Sequence, residues 1–320
     1  LSCIANARKS LSSCGGKRLV DFVSSYGHYR SFSNVYNAED NWKKHWDLMK
    51  EMRERGTIGQ TSMTIEAPVD TMGATAISNK ENVTKESFRF RALIATMLSP
   101  QTRDAQTYAA FNNLEELVTT PTSPSDFTAT NLLKIPIDII EAACKPVSFY
   151  KTKAINIHKA CERIVESNYR YGGKDNLDMA GIPLEYEDML SYKGVGSKIA
   201  ILTFSIAWGK DYGICVDTHV HRIANRLRWV RGVQKKNKNK NNGNVLEEED
   251  IDIIDTDIDT TSAEKTRVEL EKLLPREVWG HVNELLVGFG QTICSAKKPL
   301  CYACDLHDQC HWYIKKNRTV

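Results

Sequence analysis

The 320-residue chain has no apolar run of about 18 residues or more, so no membrane-spanning helix is expected. No alternating apolar–polar stretch of strand length occurs, and there is no internal repeat. Helical periodicity is what remains, and it points to an all-α fold. Acidic residues are nearly missing from positions 1–38, where Asp21 stands alone. The nine cysteines lack the even count and spread of a secreted disulfide scaffold. Even the net charge is small, at +3.

That small charge hides a split. Residues 234–261 hold 4 Lys against 8 Asp plus Glu, which leaves the rest of the chain at +7. A basic body suits a polyanionic partner. The segment itself, KKNKNKNNGN followed by EEEDIDIIDTDIDTT, is low in complexity and has no means of burying a core, so disorder is expected. The first 38 residues are basic and rich in serine. They read as a disordered tail or a targeting segment, which places the protein in the nucleus, the mitochondrion or both.

Helices are predicted over 40–55, with Trp42, Trp46, Met49 and Met52 on one face, and over 85–98, with Phe88, Leu93, Ile94, Met97 and Leu98. Ala67 to Asp70 reads as a turn and 73–84 as a polar loop. A further helix runs from 104 to about 118, and two or three more lie within 125–165. Helical pattern returns at 262–288 with Leu270, Leu273, Leu274, Trp279, Val282, Leu285 and Leu286 as core.

Residues 186–226 are the most informative stretch. Gly194-Val195-Gly196 reverses the chain before an apolar helix from Ser197 to Trp208. Two glycines at a helix start expose backbone N–H groups that, with the helix dipole, seat a phosphate. Val195 would anchor the hairpin in the core. Lys198 lies in the first helical turn, where the dipole disfavours an ammonium by roughly 0.3–1 kcal/mol. Desolvation would push the same way, towards a neutral and nucleophilic amine. Asp217 precedes Thr-His-Val-His-Arg, where a new helix begins. It is placed to cap that helix or to face a reacting centre. His219 is a candidate phosphate donor, and Arg222 and Arg226, four apart, are candidates for phosphate contact or ion pairs. His219 and His221 do not share a helix face and have no other His or Cys nearby, which argues against a metal pair.

Cys294-x6-Cys301-x2-Cys304-x5-Cys310 has the spacing of a four-thiolate site, open on spacing alone to zinc or an iron–sulfur cluster. Lys297 and Lys298 lie in its first loop as candidate phosphate contacts. The other cysteines, Cys3, Cys14, Cys144, Cys161 and Cys215, read as ordinary thiols or core.

Four motifs, in order, resemble the endonuclease III family of helix-hairpin-helix DNA glycosylases. Met97-Leu98-Ser99-Pro100-Gln101-Thr102-Arg103-Asp104 is similar to the family's L-L-S-x-Q-x-x-D. Tyr192 to Lys198 is similar to L-P-G-V-G-x-K, with the leucine and proline replaced. Val216 to Arg222 matches V-D-T-H-V-x-R, and the cysteine spacing is that of the family's [4Fe–4S] cluster. The insertion at 234–261 is a departure.

The resemblance implies a six-helix barrel lobe over about 82–211 and an iron–sulfur cluster lobe built from 40–81 and 212–313. Its partner would be double-stranded DNA containing damaged bases or abasic sites, bound by a monomer. Lys198 would attack C1′ of the damaged nucleotide with Asp217 assisting. Gln101 would fill the gap left by the flipped base, and Phe149, in a lysine-flanked loop, would wedge into the stack. The activity implied is a bifunctional glycosylase/AP lyase acting on oxidised pyrimidines. The alternatives are a monofunctional glycosylase, against which Lys198 argues, and a non-enzymatic helix-hairpin-helix DNA-binding protein, against which Lys198 and Asp217 together argue.

Overall fold

The structure, a computed structural model, describes residues 38–55, 66–170, 181–232 and 259–318. The basic N-terminal segment, Cys3, Cys14 and most of the 234–261 insertion lie outside these residues. Among the described residues there is no strand, only one isolated bridge between Thr120 and Ser123. No described helix is long and apolar enough to cross a membrane. The fold is all-α, and its apolar side chains gather in two cores.

The first core is built on α4 (Lys85–Leu98). It is preceded by α1 (Ala38–Glu54), α2 (Pro68–Met72) and α3 (Ala74–Ser78), of which α3 contributes Ile77. The Thr84 hydroxyl caps α4 by accepting the Ser87 N–H at 3.2 Å, a cap worth about 1 kcal/mol. The helix is not simply amphipathic. Phe90 and Ala92 to Met97 are buried, and so are Arg89 and Arg91, while the expected core residue Phe88 is only half-buried. Arg91 is tolerated because it is paired: it reaches Glu115 at 2.6 Å and the Ile77 carbonyl at 3.0 Å. Around α4 lie α5 (Asp104–Glu116), α6 (Ala129–Leu132), α7 (Ile137–Ala143), α8 (Tyr150–Arg170), α9 (Tyr186–Leu190) and α10 (Ser197–Trp208). Thr96 of α4 and Thr203 of α10 share a buried hydrogen bond of 2.7 Å, so these two helices meet through small side chains.

The second core takes Trp46, Met49 and Met52 from α1, with α11 (Thr218–Arg226), α12 (Ala263–Leu273) and α13 (Trp279–Thr292). His45 is buried, and its pKa is pushed down to about 4 by that burial and by Lys44. It accepts a hydrogen bond from the Trp229 indole at 3.0 Å and so pins α1 in place. The chain closes with α14 (His311–Arg318).

Three expectations change. Residues 67–78 are two short helices, not a turn and a loop. Asp70 accepts the Ala67 N–H at 3.0 Å, a capping box without the usual Ser or Thr. The expectation of disorder up to 261 does not hold for Asp259 to Thr261, which are among the described residues. Thr260 is buried, and its N–H donates to Asn225 Oδ1 at 2.7 Å. Arg222 and Arg226 turn inward onto carbonyls instead of presenting themselves to phosphate, as described below.

Candidate active site

The hairpin before α10 needs a glycine at its first position. Gly194 has φ +82°, and a Cβ there would lie 2.2 Å from Asn156 Nδ2. Val195 is buried, whereas Gly194 and Gly196 are exposed. The Val195 N–H is used within the turn, donating to Tyr192 O at 3.0 Å, so it is not open to a ligand. The first-turn N–H groups of α10 have no intrahelical acceptor and no capping side chain on Gly196.

Lys198 stands half-buried in that first turn, and its carbonyl accepts the Cys215 thiol at 3.9 Å. This contact brings the loop that leads into α11 against the start of α10. Asp217 follows at the head of α11. Its Oδ1 accepts the N–H groups of His219 at 2.8 Å and Val220 at 2.9 Å. The carboxylate is therefore held in one orientation, and its charge and that of Lys198 both bear on Cys215.

A third group, the aspartate that ends the Met97–Asp104 motif and to which no role was assigned from the sequence, joins them. Asp104 opens α5, and the charges of His219, Asp217 and Lys198 all bear on it. Burial pushes its pKa above the usual carboxylate range, while the Gln291 amide, donating at 2.6 Å, opposes that push. His219 is half-buried and its imidazole is held below its usual pKa by burial, so it is neutral near pH 7. Arg222 donates to its Nδ1 at 3.1 Å. A neutral ring in this contact is a weaker anchor for a phosphate than a protonated one.

Gln101 and Phe149 sit at two exposed loop tips. Both have left-handed backbones, φ +54° and +56°, and Phe149 is 66% exposed. Non-glycine residues in that region cost roughly 1–3 kcal/mol, and such strain collects at functional sites. The loops touch, since the Ser148 N–H donates to Thr102 Oγ1 at 3.2 Å.

Cys294, Cys301, Cys304 and Cys310 line one cavity with Phe289, Leu306 and Trp312. Among the described residues no three His, Cys, Asp or Glu side chains converge as they would about a single ion. Burial pushes Cys304 up to about 12 and Cys310 up to about 11. Four thiols lining one cavity are suited to a metal centre that would take them as thiolates. Arg226 lies against this site, its Nη1 donating to Cys294 Sγ at 3.1 Å. It also donates to Ser295 O at 2.9 Å and Ala296 O at 3.0 Å and lies over the Trp312 ring at 4.4 Å. Arg222 donates to Gly290 O at 3.1 Å and Cys294 O at 2.9 Å. The two arginines thus hold the loop on which Lys297 and Lys298 are exposed.

A glycine hairpin leading into an uncapped helix start, followed by a helix headed by a capping aspartate, defines a helix-hairpin-helix protein. Residues 94–247 match the family model described as HhH-GPD superfamily base excision DNA repair protein. The chain is 34% identical over 251 residues to the endonuclease III homolog of Encephalitozoon cuniculi, covering 77% of this chain and 87% of that one. It is 36% identical over 257 residues to endonuclease III homolog 2 of Saccharomyces cerevisiae, covering 77% of this chain and 58% of that one. A trapped endonuclease III–DNA covalent intermediate shares the fold, with a TM-score of 0.58, 22% identity, and coverage of 88% of this chain and 99% of that one. The chain belongs to the endonuclease III family, and it is a DNA glycosylase.

Proposed function

We propose that this glycosylase binds damaged double-stranded DNA as a monomer, excises oxidised pyrimidines through a Schiff base on Lys198, and then cleaves the strand as an AP lyase. The observation that carries the reading is the convergence of two helix starts. Lys198 on α10 and Asp217 on α11 both bear on Asp104 and on Cys215 between them. A phosphate grip needs neither the amine nor the carboxylate.

In this reading the damaged nucleotide is flipped out of the stack, because its C1′ is out of reach inside a duplex. Phe149 enters the stack and Gln101 hydrogen-bonds the orphaned partner base. The Lys198 amine forms a bond to C1′ as the C1′–N bond breaks, and the electron pair leaves with the base. The Asp217 carboxylate stabilises the cationic sugar and takes part in proton transfer as the ring opens to the imine. The imine acidifies the C2′ hydrogens. Loss of one C2′ proton forms a C2′–C3′ double bond, the C3′–O bond breaks, and the 3′ phosphate departs. Water then releases the lysine.

Cys294, Cys301, Cys304 and Cys310 would hold a [4Fe–4S] cluster, a reading supported by their lining one cavity and by the family's cysteine spacing. When bound, the cluster would supply iron–thiolate bonds that cross-link the loop presenting Lys297 and Lys298. The helices of the first core would form the six-helix barrel lobe and those of the second the cluster lobe. The nucleus, the mitochondrion or both is proposed from the composition of residues 1–38.

Borohydride trapping on a duplex carrying one oxidised pyrimidine tests the mechanism. A covalent adduct is expected, and Lys198→Ala should abolish it. Base release without an adduct would assign the attack to water and remove the lyase step.

A further inference from the structure

The sequence places Lys153 among lysines flanking an exposed aromatic, where contact with DNA is the obvious role. The structure turns it the other way. Lys153 is 8% exposed, and its ammonium donates three hydrogen bonds: to Leu98 O at 2.7 Å, Pro100 O at 2.8 Å and Thr102 Oγ1 at 3.0 Å. An ammonium has three donors, and all three are used. Pro100 and Thr102 are the two neighbours of Gln101. The Lys153 N–H, in turn, donates to Phe149 O at 3.0 Å, so the lysine sits one turn below the other tip.

Thr102 completes the joint. Its hydroxyl donates to Pro100 O at 3.2 Å and accepts from both Lys153 and the Ser148 N–H. One hydrogen and two lone pairs are all occupied. Two loop tips some fifty positions apart in sequence, each with a strained backbone, are thus tied to one buried cation.

We propose that Lys153 is a positioning residue for base extrusion: it sets the distance between the Gln101 and Phe149 tips so that both enter the duplex as one unit. This rests on the proposed roles of those two residues. A buried ammonium is a costly way to fill space, and an apolar side chain of similar length would pack as well. What the ammonium adds is direction, because three acceptors on the loop must face one point.

The test uses the full chain and a duplex with 2-aminopurine opposite an oxidised pyrimidine, read by stopped-flow fluorescence. Lys153→Met is expected to slow the fluorescence rise roughly tenfold or more, as sub-ångström to 1 Å misplacement of a working group does. Borohydride trapping at a preformed abasic site, where no base pair has to be broken, should stay at the wild-type level. Lys153→Arg, which keeps a buried cation with several donors, should recover part of the rate. Adding Lys153→Met to Gln101→Ala should cost little more than Gln101→Ala alone.

A folded Lys153→Met that extrudes the base at the wild-type rate overturns the inference. Equal loss of extrusion and trapping also overturns it, since that marks general damage. Should Lys153→Met fail to fold, Thr102→Val decides, because it removes one acceptor and the Ser148 link; unchanged extrusion there overturns the inference. Gln101→Ala and Phe149→Ala run in parallel. If neither slows extrusion, the reading of the two tips fails and the inference with it; if they do and Lys153→Met does not, only the inference fails.

Discussion

The amide of Gln291 donates to the Asp104 carboxylate at 2.6 Å, and its oxygen accepts the Val69 N–H at 3.0 Å. One side chain at the end of α13, in the second core, thereby fixes a carboxylate on the first. That carboxylate faces the same charges that Lys198 and Asp217 bring to the site.

Asp104 titrates above its ordinary value of 3.8 because it is buried. For an acid whose folded pKa is raised, the folded state holds its proton longer than the unfolded one. Stability therefore falls as pH rises from 3.8 through the raised value. Asp104→Asn removes this loss, so its stability relative to the wild type should increase across that interval and level off above it. Urea denaturation at a series of pH values measures the difference. A difference that does not move with pH would mean that Asp104 ionises normally.

Asp217 carries two duties that substitution can separate. Asn can still accept the His219 and Val220 N–H groups, whereas Ala cannot, and loss of such a cap costs about 1 kcal/mol. Asp217→Ala should lower both the denaturation midpoint and the adduct yield. Asp217→Asn should keep the midpoint and lose the adduct. If the asparagine variant traps DNA as the wild type does, the residue is a cap and nothing more.

The two hairpin glycines should respond differently. Gly194→Ala puts a side chain at φ +82° against Asn156, and left-handed backbone alone costs roughly 1–2 kcal/mol. It should destabilise the fold. Gly196→Ala meets nothing within 4 Å and leaves the fold intact, but its methyl group stands where the backbone would approach a phosphate. Fluorescence anisotropy with an abasic duplex should show weaker binding for Gly196→Ala at an unchanged melting temperature.

How much of this was legible in the sequence depended on how far apart the partners lie. The hairpin, the α4 boundary at Leu98 and the Asp217 cap depend on residues a few positions apart, and the local pattern states them. α2 escaped because its capping box starts from Ala67, which carries no capping hydroxyl, and α3 because it starts from Gly73 with no side-chain cap. The Gln291–Asp104 bond spans 187 positions and the Arg226–Cys294 contact spans 68, so no periodicity reports them. The role of Lys153 could not be read for the same reason: its ammonium reaches the Leu98 and Pro100 carbonyls, more than fifty positions away.

Arg226 should govern retention of the group that the four cysteines would hold. Arg226→Lys keeps the charge but cannot both bridge Cys294, Ser295 and Ala296 and lie flat on Trp312. The purified variant should show less absorbance near 400 nm and less iron per chain than the wild type. Wild-type iron content in Arg226→Lys would show that the charge alone suffices.

Helix α11 has nine residues, about 13 Å from end to end. Asp217 sits at one end and Arg226, gripping the cysteine loop, at the other. It is a strut, and short packed helices move as rigid bodies. Any change in the cysteine spacing that shifts the far end on the order of 1 Å therefore displaces the carboxylate by a similar amount, enough to cost a large part of the rate. The spacing of thiols at the C-terminus is in this sense an alignment setting for a reaction centre to which none of them contributes an atom.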